Sequence, residues 1–422
     1  FGPNSRYGYF PSAAFAWRVS SESFLKESNT INNLKLRLGV GSVGNQEIGL
    51  YTYLGGVRVY DVVLGNQQVS AFGPGNIPNP DVRWEASFQT NIGIDLGLWN
   101  NRLEIIADVY RKEARDMLLP ALIPDAAGGF EPPFVNIGAI TNSGIELTIN
   151  SVNTKGKFEW QTSLNFSANT NEVKSLGSNG ALIGVLQRIP VTRTEEGRAI
   201  SQFYGYVTDG IFQSVADITE APFQADGTRP GDIRFKDLNN DGVINESDQT
   251  FIGSPIPDFT TNLNNTFNYR GFDLNILFQG VFGNEILNLI RRDLEGFQGA
   301  QNQLAAAADR YTTTNPSNTL PRATGNDPNA NRRISNRFIE DGSFIRLRNL
   351  SLGYNIPLLT AKRLGMASAR VYVSGQNLFT ITDYSGYDPE IGSFNQNPLI
   401  NGVENGRYPA ARSFTFGLNV GF

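Results

Sequence analysis

The sequence predicts an all-β fold: a transmembrane antiparallel β-barrel with long loops gathered at one end. Three observations lead there. Apolar and polar residues alternate over many short runs, which is the period of a strand with one face in each environment. Tight turns and long connections follow one another in strict alternation, whereas a soluble sandwich has no reason to put every long loop at one end. No run approaches the roughly 18 consecutive apolar residues of a membrane helix, a test that barrel strands escape because only every second residue faces lipid.

The strands follow in order. Ala13, Phe15, Trp17 and Val19 alternate with Ser12, Ala14, Ala16 and Arg18, and Leu34, Leu36, Leu38 and Val40 with Asn33, Lys35, Arg37 and Gly39. Thr90, Ile92, Ile94, Leu96 and Leu98 run to a turn at Asn100-Asn101, and Leu103, Ile105, Ala107 and Val109 return. Ile145, Leu147 and Ile149 form one strand; Phe158, Trp160, Thr162, Leu164 and Phe166 form the next. A hairpin places Leu263, Phe267 and Tyr269 before Arg270-Gly271 and Phe272, Leu274, Ile276 and Phe278 after it. Ser343 to Ile356, Ala369 to Thr380 and Ser413 to Phe422 complete a set of about eleven. Alternation fails near Arg348-Asn349, where a bulge is expected. Val57 to Val63 has a broken period and reads as loop.

Short connections are expected at Ser21 to Asn32, Asn100-Asn101, Asn153 to Gly156, Arg270-Gly271 and Leu358 to Ala367. Long ones are expected at Ser42 to Asp81, Leu118 to Asn142, Asn171 to Asp258, Asn284 to Gly342 and Asp383 to Ala411. Within the fourth, Leu287 to Arg310 has the composition of a short helix. Trp17, Trp99, Tyr110, Tyr269, Phe272 and Tyr372 lie near strand ends, as interfacial aromatic girdles do. Phe414, Phe416, Leu418, Val420 and Phe422 carry the alternation to a terminal aromatic.

Composition removes several function classes. The 422 residues include no His and no Cys, which excludes His-based triads, His general bases and His metal sites. A net charge of −5 without a basic run argues against nucleic acid as a partner. Forty acidic residues allow a carboxylate pair to be imagined almost anywhere, so no catalytic site is assigned and an enzyme is not expected.

One connection does carry chemistry. With Asp237 as the first position of a twelve-residue loop, Asn239, Asp241, Val243, Asn245 and Asp248 fall at the ligand positions of an EF-hand, and Gly242 at its sharp turn. Alternate hard oxygen donors let a short loop wrap one Ca²⁺; here Asp stands where a bidentate Glu is usual. A structural calcium site is therefore expected within the long loop 171–258. The plainer reading is an Asx-rich turn.

Other candidates are weighed the same way. Lys35, Arg37, Glu104, Asp108, Glu146 and Glu159 lie on the polar face, where they either line a permeation path or pair with one another. Phe203, Tyr204, Tyr206 and Phe212 either stack on a sugar or peptide or, the simpler reading, pack inside a folded loop.

The blocks Asn79 to Leu119, Gly231 to Ile286, Ile339 to Pro357, Val371 to Glu390 (with DYSGYDPE) and the closing RYPAARSFTFGLNVGF resemble SusC/RagA-type TonB-linked outer-membrane proteins of Bacteroidota, in that family's order. The resemblance implies a barrel of about 22 strands preceded by a plug and a coupling segment. The chain, which begins at Phe1 without Met or a secretion signal, then corresponds to about the C-terminal half of the barrel, residues 1–422, with plug and coupling segment outside it. It also implies residence in outer-membrane lipid, a SusD-like lipoprotein over the external loops, drive from the TonB system, a possible oligomer or larger envelope complex, and import of oligosaccharides or oligopeptides. Two alternatives stay open: a SusC-like barrel serving as scaffold in a secretion or outer-membrane assembly complex, and a soluble calcium-dependent glycan-binding adhesin.

Overall fold

A strand that crosses hydrocarbon must give every backbone N–H and C=O to a neighbouring strand, and the sheet of this protein is built that way. The computed structural model describes residues 2, 5–46, 49, 51–121, 123, 132–297 and 302–422. Phe1 and parts of the second and fourth strand-rich connections' expected spans (122, 124–131 and 298–301), with 47, 48 and 50 of the first, lie outside the described residues. The chain forms two compact units: Phe1–Val152 with Asn165–Leu182 and Glu195–Ala199, and Asn153–Leu164 with Ile183–Thr194 and Ile200–Phe422.

In the first unit, β1 (Ser12–Arg18), β2 (Ile31–Asn45), β3 (Glu85–Leu98), β4 (Leu103–Pro120) and β5 (Phe134–Thr154) pair antiparallel in chain order. β6 (Phe158–Ser175) has its first half in the second unit. There, β7 (Phe259–Tyr269), β8 (Phe272–Phe282), β9 (Phe344–Asn355), β10 (Ser368–Gln376) and β11 (Ser413–Gly421) again pair antiparallel in chain order. Among the described residues these eleven strands make the path expected from the sequence, with Thr380–Thr382 added beside β9.

Register sets the faces. Leu38 lies opposite Phe15 and Ile92, and Ile92 opposite Val109, which lies opposite Ile145. In the second unit Leu274 lies opposite Phe267 and Leu352, Leu352 opposite Val373, and Val373 opposite Phe416. Phe15, Leu38, Ile92, Val109, Ile145, Leu352 and Phe416 are all exposed, so one face is an apolar surface open to its surroundings. A one-residue slip would turn every one of these side chains to the other face, so the pattern fixes the register. Asn265 also lies on this face; its Oδ1 accepts from Trp160 Nε1 (2.9 Å) and Thr162 Oγ1 (2.8 Å), which removes the cost of an unpartnered amide oxygen.

The opposite face holds ion pairs that bridge three strands. Arg37 of β2 donates to Asp95 of β3 and Asp108 of β4, both at 2.8 Å, passing over Gly93. Arg370 of β10 binds Asp273 of β8 over Gly353 of β9. A Cβ at either glycine would collide with both charged partners, so the missing side chain is what lets flanking strands meet. Of the expected polar-face charges, Arg37 and Asp108 thus pair with each other, Lys35 pairs with Asp95 (3.7 Å), and Glu104 accepts from the Asn150 amide (3.0 Å).

Turn chemistry agrees with the sequence. Arg270 and Gly271 take φ of 48° and 88°, the two left-handed positions of a tight hairpin, and Trp99, Asn100 and Asn101 lie at 52°, 59° and 55°. Phe158, Trp160, Phe267 and Tyr269 form an aromatic cluster beside the short turns, with ring centroids 5.8–6.4 Å apart. The expected bulge is present: Leu277 pairs with Asn349 and Phe278 with Leu347, leaving Arg348 between.

Some expectations need correction. Tyr110 and Tyr372 are not girdle residues; each packs over a glycine on the charged face, Tyr110 over Gly144 with its hydroxyl bonded to Asn169 (3.0 Å), and Tyr372 over Gly417. The connection expected at Leu118 to Asn142 is shorter, because β4 and β5 extend to Pro120 and from Phe134, and the one expected from Asn171 starts after Ser175. Val57–Leu64 is a strand, paired with Gln67–Pro74 in a hairpin apart from the large sheet. Leu287 to Arg310 contains a helix at Leu289–Leu294 and a 3₁₀ turn at Ala305–Asp309.

Replacing Gly353 or Gly93 with Val should cost about 1–3 kcal/mol of overpacking besides the displaced ion pair. Gel mobility of unheated and heated samples should show less folded barrel for both variants; parent-like folding would contradict the bridging role.

Candidate functional site

In the second unit the long connections fold into a packed body. Val191, Phe203, Leu287, Leu289, Ile334, Phe338, Ile400 and Val403 are buried together, drawn from three separate connections. Their backbones are tied as well: Glu285–Asn288 pairs antiparallel with Ile339–Asp341 and parallel with Val403–Glu404. Each such large side chain buried contributes about 1.5–3 kcal/mol, enough together to order segments that carry no barrel strand. Phe203, Tyr206 and Phe212 are buried, and Tyr204 packs on Phe251 (5.2 Å) and Arg193 (4.7 Å), so the simpler packing reading of this aromatic block holds.

A polar network fixes the same body. Asp232 is fully buried; Arg322 reaches its two oxygens at 2.8 and 3.0 Å, and Asn331 and the backbone N–H of Arg229 supply two more donors. Gln224 accepts from Phe235 N–H (2.7 Å) and donates to Ile233 C=O (3.0 Å) and Asn329 (2.9 Å). A buried carboxylate saturated in this way rigidifies its surroundings, whereas one missing partner would leave a costly charge.

The loop read as calcium-binding lies against this network. Tyr206, Ile233, Phe235 and Ile244 form a small core under it. The backbone N–H of Phe223 donates to Gly242 C=O and that of Ile244 to Phe223 C=O, both at 2.8 Å, and Gly242 turns with φ of 85°. Asp237 accepts from Asn240 N–H (2.6 Å) and Gly242 N–H (2.8 Å). Asp241 accepts from Val243 N–H and Asn239 Nδ2, both at 2.9 Å, and from Asn245 Nδ2 at 3.4 Å. Asn245 also reaches Val243 C=O at 3.2 Å. Asn239, Asp241, Val243 and Asn245 are therefore brought together around one turn. The Val243 N–H and then the Asn239 amide hold the Asp241 carboxyl below its usual range, so it is charged at neutral pH. Asp248 is fully buried and spans the loop, accepting from Leu238 N–H (2.9 Å) and Asn245 N–H (2.8 Å). Among the described residues, no three acidic side chains converge on one point; what meets Asp241 is the amide nitrogens of Asn239 and Asn245.

The DYSGYDPE block is clamped to the sheet. Arg346 of β9, 2% exposed, binds Asp388, Glu390 (2.8 Å) and Thr380 Oγ1 (2.9 Å). The bulged Arg348 reaches both oxygens of Glu390 at 3.0 and 3.1 Å. Sequence reading named this block but not its partners, because Arg346 and Asp388 are 42 residues apart. Burial alone pushes the Asp388 carboxyl up, but the Ala410 and Glu390 N–H groups and Arg346 outweigh it and hold it below the usual range.

A sheet with an apolar outer face, charged inner face, alternating turn lengths and folded long connections defines a transmembrane β-barrel of the outer-membrane kind. Residues 1–378 match the family described as TonB dependent receptor-like, beta-barrel, and the chain belongs to that family. It is 38% identical over 433 residues to TonB-dependent receptor P3 of Formosa agariphila, spanning 100% of this chain and 42% of that one. It is 28% identical over 438 residues to TonB-dependent receptor SusC of Bacteroides thetaiotaomicron, spanning 100% of this chain and 41% of that one. Among solved structures it is similar to the RagAB peptide transporter, with a TM-score of 0.81 and 25% identity over 100% of this chain and 44% of that chain. The chain thus spans about two fifths of the curated relatives it matches. It is an outer-membrane barrel segment of the SusC/RagA type.

Arg346→Met should loosen residues 383–412 by about 3–5 kcal/mol, because Asp388 keeps its two backbone donors but is left buried without a counter-charge. Hydrogen exchange in that segment reads the loss; parent-like protection would contradict the clamp. Since the folded Asp388 pKa lies below the unfolded value of about 3.9, its contribution is complete above that value and lost as pH falls through the folded one. Protection of 383–412 should therefore be flat from neutral to about pH 5 and decline at lower pH.

Proposed function

We propose that this chain belongs to a SusC-like TonB-dependent outer-membrane transporter that imports oligosaccharides or oligopeptides with a SusD-like surface lipoprotein. The likeness to the RagAB peptide transporter along the whole chain carries this reading, and between the two cargoes it favours peptides. In this scheme the long connections are external, the folded body they form is where the lipoprotein docks, and TonB acts through parts of the protein outside this chain. The barrel carries cargo across the membrane and performs no covalent chemistry. Cells lacking the gene should lose uptake of labelled oligopeptides or oligosaccharides, and a protonophore should abolish uptake in the parent. Uptake unchanged by both treatments would contradict import.

The loop 237–248 is proposed to hold a structural calcium ion through Asp237, Asn239, Asp241, the Val243 carbonyl, Asn245 and Asp248. The donors fit: all are hard oxygens, and the ionised Asp241 already gathers the two Asn amides around one turn. When bound, the ion would neutralise these carboxylates and stiffen the turn that packs on Phe223 and Ile244. Calcium should slow hydrogen exchange across 237–248 in the parent and leave Asp241→Ala unchanged. Identical exchange with and without chelator in the parent would remove the metal.

A further inference from the structure

A cavity of about 160 Å³ lies in the folded connections. Its walls include Ile290, Leu294 and Leu304, with Tyr387, 81% exposed, at its edge. Glu404 also lines it, and is 3% exposed. One Glu404 oxygen, Oε1, accepts from the N–H groups of Gly406 and of Arg407 (2.7 Å). The other, Oε2, is buried with no partner among the described residues. A buried carboxylate in that state needs a cation or a donor.

The guanidinium nearest to hand is already engaged. Arg291, which lines the cavity, donates to Glu295 (2.9 Å) and Glu340 (3.3 Å), and Arg337 donates to Glu295 (2.5 Å). Both guanidiniums are thus held by Glu295 and Glu340, and among the described residues no ion pair reaches Glu404. The buried phenol of Tyr384 registers the same field: burial first, then the charges of Glu404 and Glu340, push its pKa up.

We infer that this cavity receives a lysine side chain of a bound peptide, its methylene stem along Ile290, Leu294 and Leu304 and its ammonium toward the Glu404 carboxylate. Lysine combines an apolar stem with a point charge at its tip, which matches aliphatic walls around one unpaired carboxylate. An oligosaccharide would need free donors and acceptors along its length, whereas Asn288, Ser385 and Arg291 of the lining already donate to Glu340 or Glu295. Tyr387 then packs against the neighbouring peptide. The inference rests on the importer reading and narrows its cargo to peptides carrying lysine.

The test uses the full-length protein purified from membranes in detergent, and fluorescence anisotropy with N-acetylated, labelled oligopeptides that carry lysine or norleucine at one position. Acetylation keeps the α-amine from standing in for the side chain. The lysine peptide should bind about tenfold more tightly or better, as a charge-assisted hydrogen bond allows. Glu404→Gln should bring the ratio near one while leaving the norleucine peptide unchanged. Leu304→Trp, at a half-exposed wall position, should remove the preference by filling the cavity, and serves if the first variant folds poorly. Equal binding of the two peptides, a preference that survives both variants, or no peptide binding at all would overturn the inference. Because equilibrium binding is read without transport, a lysine preference in a protein that imports nothing would overturn the importer reading and leave the site standing.

Discussion

Backbone hydrogen bonding between strands is the constraint on which the rest of this structure depends. In hydrocarbon no water can satisfy an N–H or C=O, so each strand must lie against its neighbour along its whole length. Side chains then have only two directions to point, and the alternation from Leu34 to Val40 or from Phe272 to Phe278 becomes a division between lipid and interior. The polar face carries its own consequence. Charges there are separated by a strand width, and Gly93 and Gly353 let Arg37 and Arg370 reach carboxylates two strands away. Such bridges tie three strands where hydrogen bonds tie two.

Beyond the strands the long connections solve a different problem. Freed from the sheet, they carry backbone groups and apolar residues that must be buried by their own packing. Phe203, Leu287 and Val403 meet from different connections, Asp232 and Arg322 lock another pair, and Arg346 with the bulged Arg348 fastens the DYSGYDPE block to β9. A body ordered to this degree can hold a cavity of fixed shape. That Glu404 lines the cavity with one carboxylate oxygen unpartnered is what marks it as a place for a ligand.

The barrel strands, their order and the short turns were legible in the sequence because they rest on local signals: period two, Arg-Gly or Asn-Asn turns, and a broken period at Arg348. Parity also held the means to place Tyr110 and Tyr372, since each directly follows an outward-facing Val; proximity to a strand end was the weaker guide. The turn at Asp237 to Asp248 was legible for the same reason, since its Asp and Asn residues bond to backbone N–H groups within the same loop. Contacts such as Asp232 with Arg322, 90 residues apart, and Arg346 with Asp388 were not legible, because no local pattern says which acid meets which Arg. Glu404 was invisible as one of 40 acidic residues until its burial and its unpaired oxygen singled it out.

The central claim is that consecutive residues of one strand face lipid and interior in turn, and the absence of cysteine from these 422 residues makes it directly testable. Single Leu274→Cys, Asn275→Cys, Ile276→Cys and Leu277→Cys variants, spin-labelled in reconstituted bilayers, can be probed with a lipid-soluble and a water-soluble relaxation agent. Labels at 274 and 276 should respond to oxygen, the lipid-soluble agent, and those at 275 and 277 to the water-soluble agent. The same response at all four positions would mean that β8 does not cross a membrane as a barrel strand.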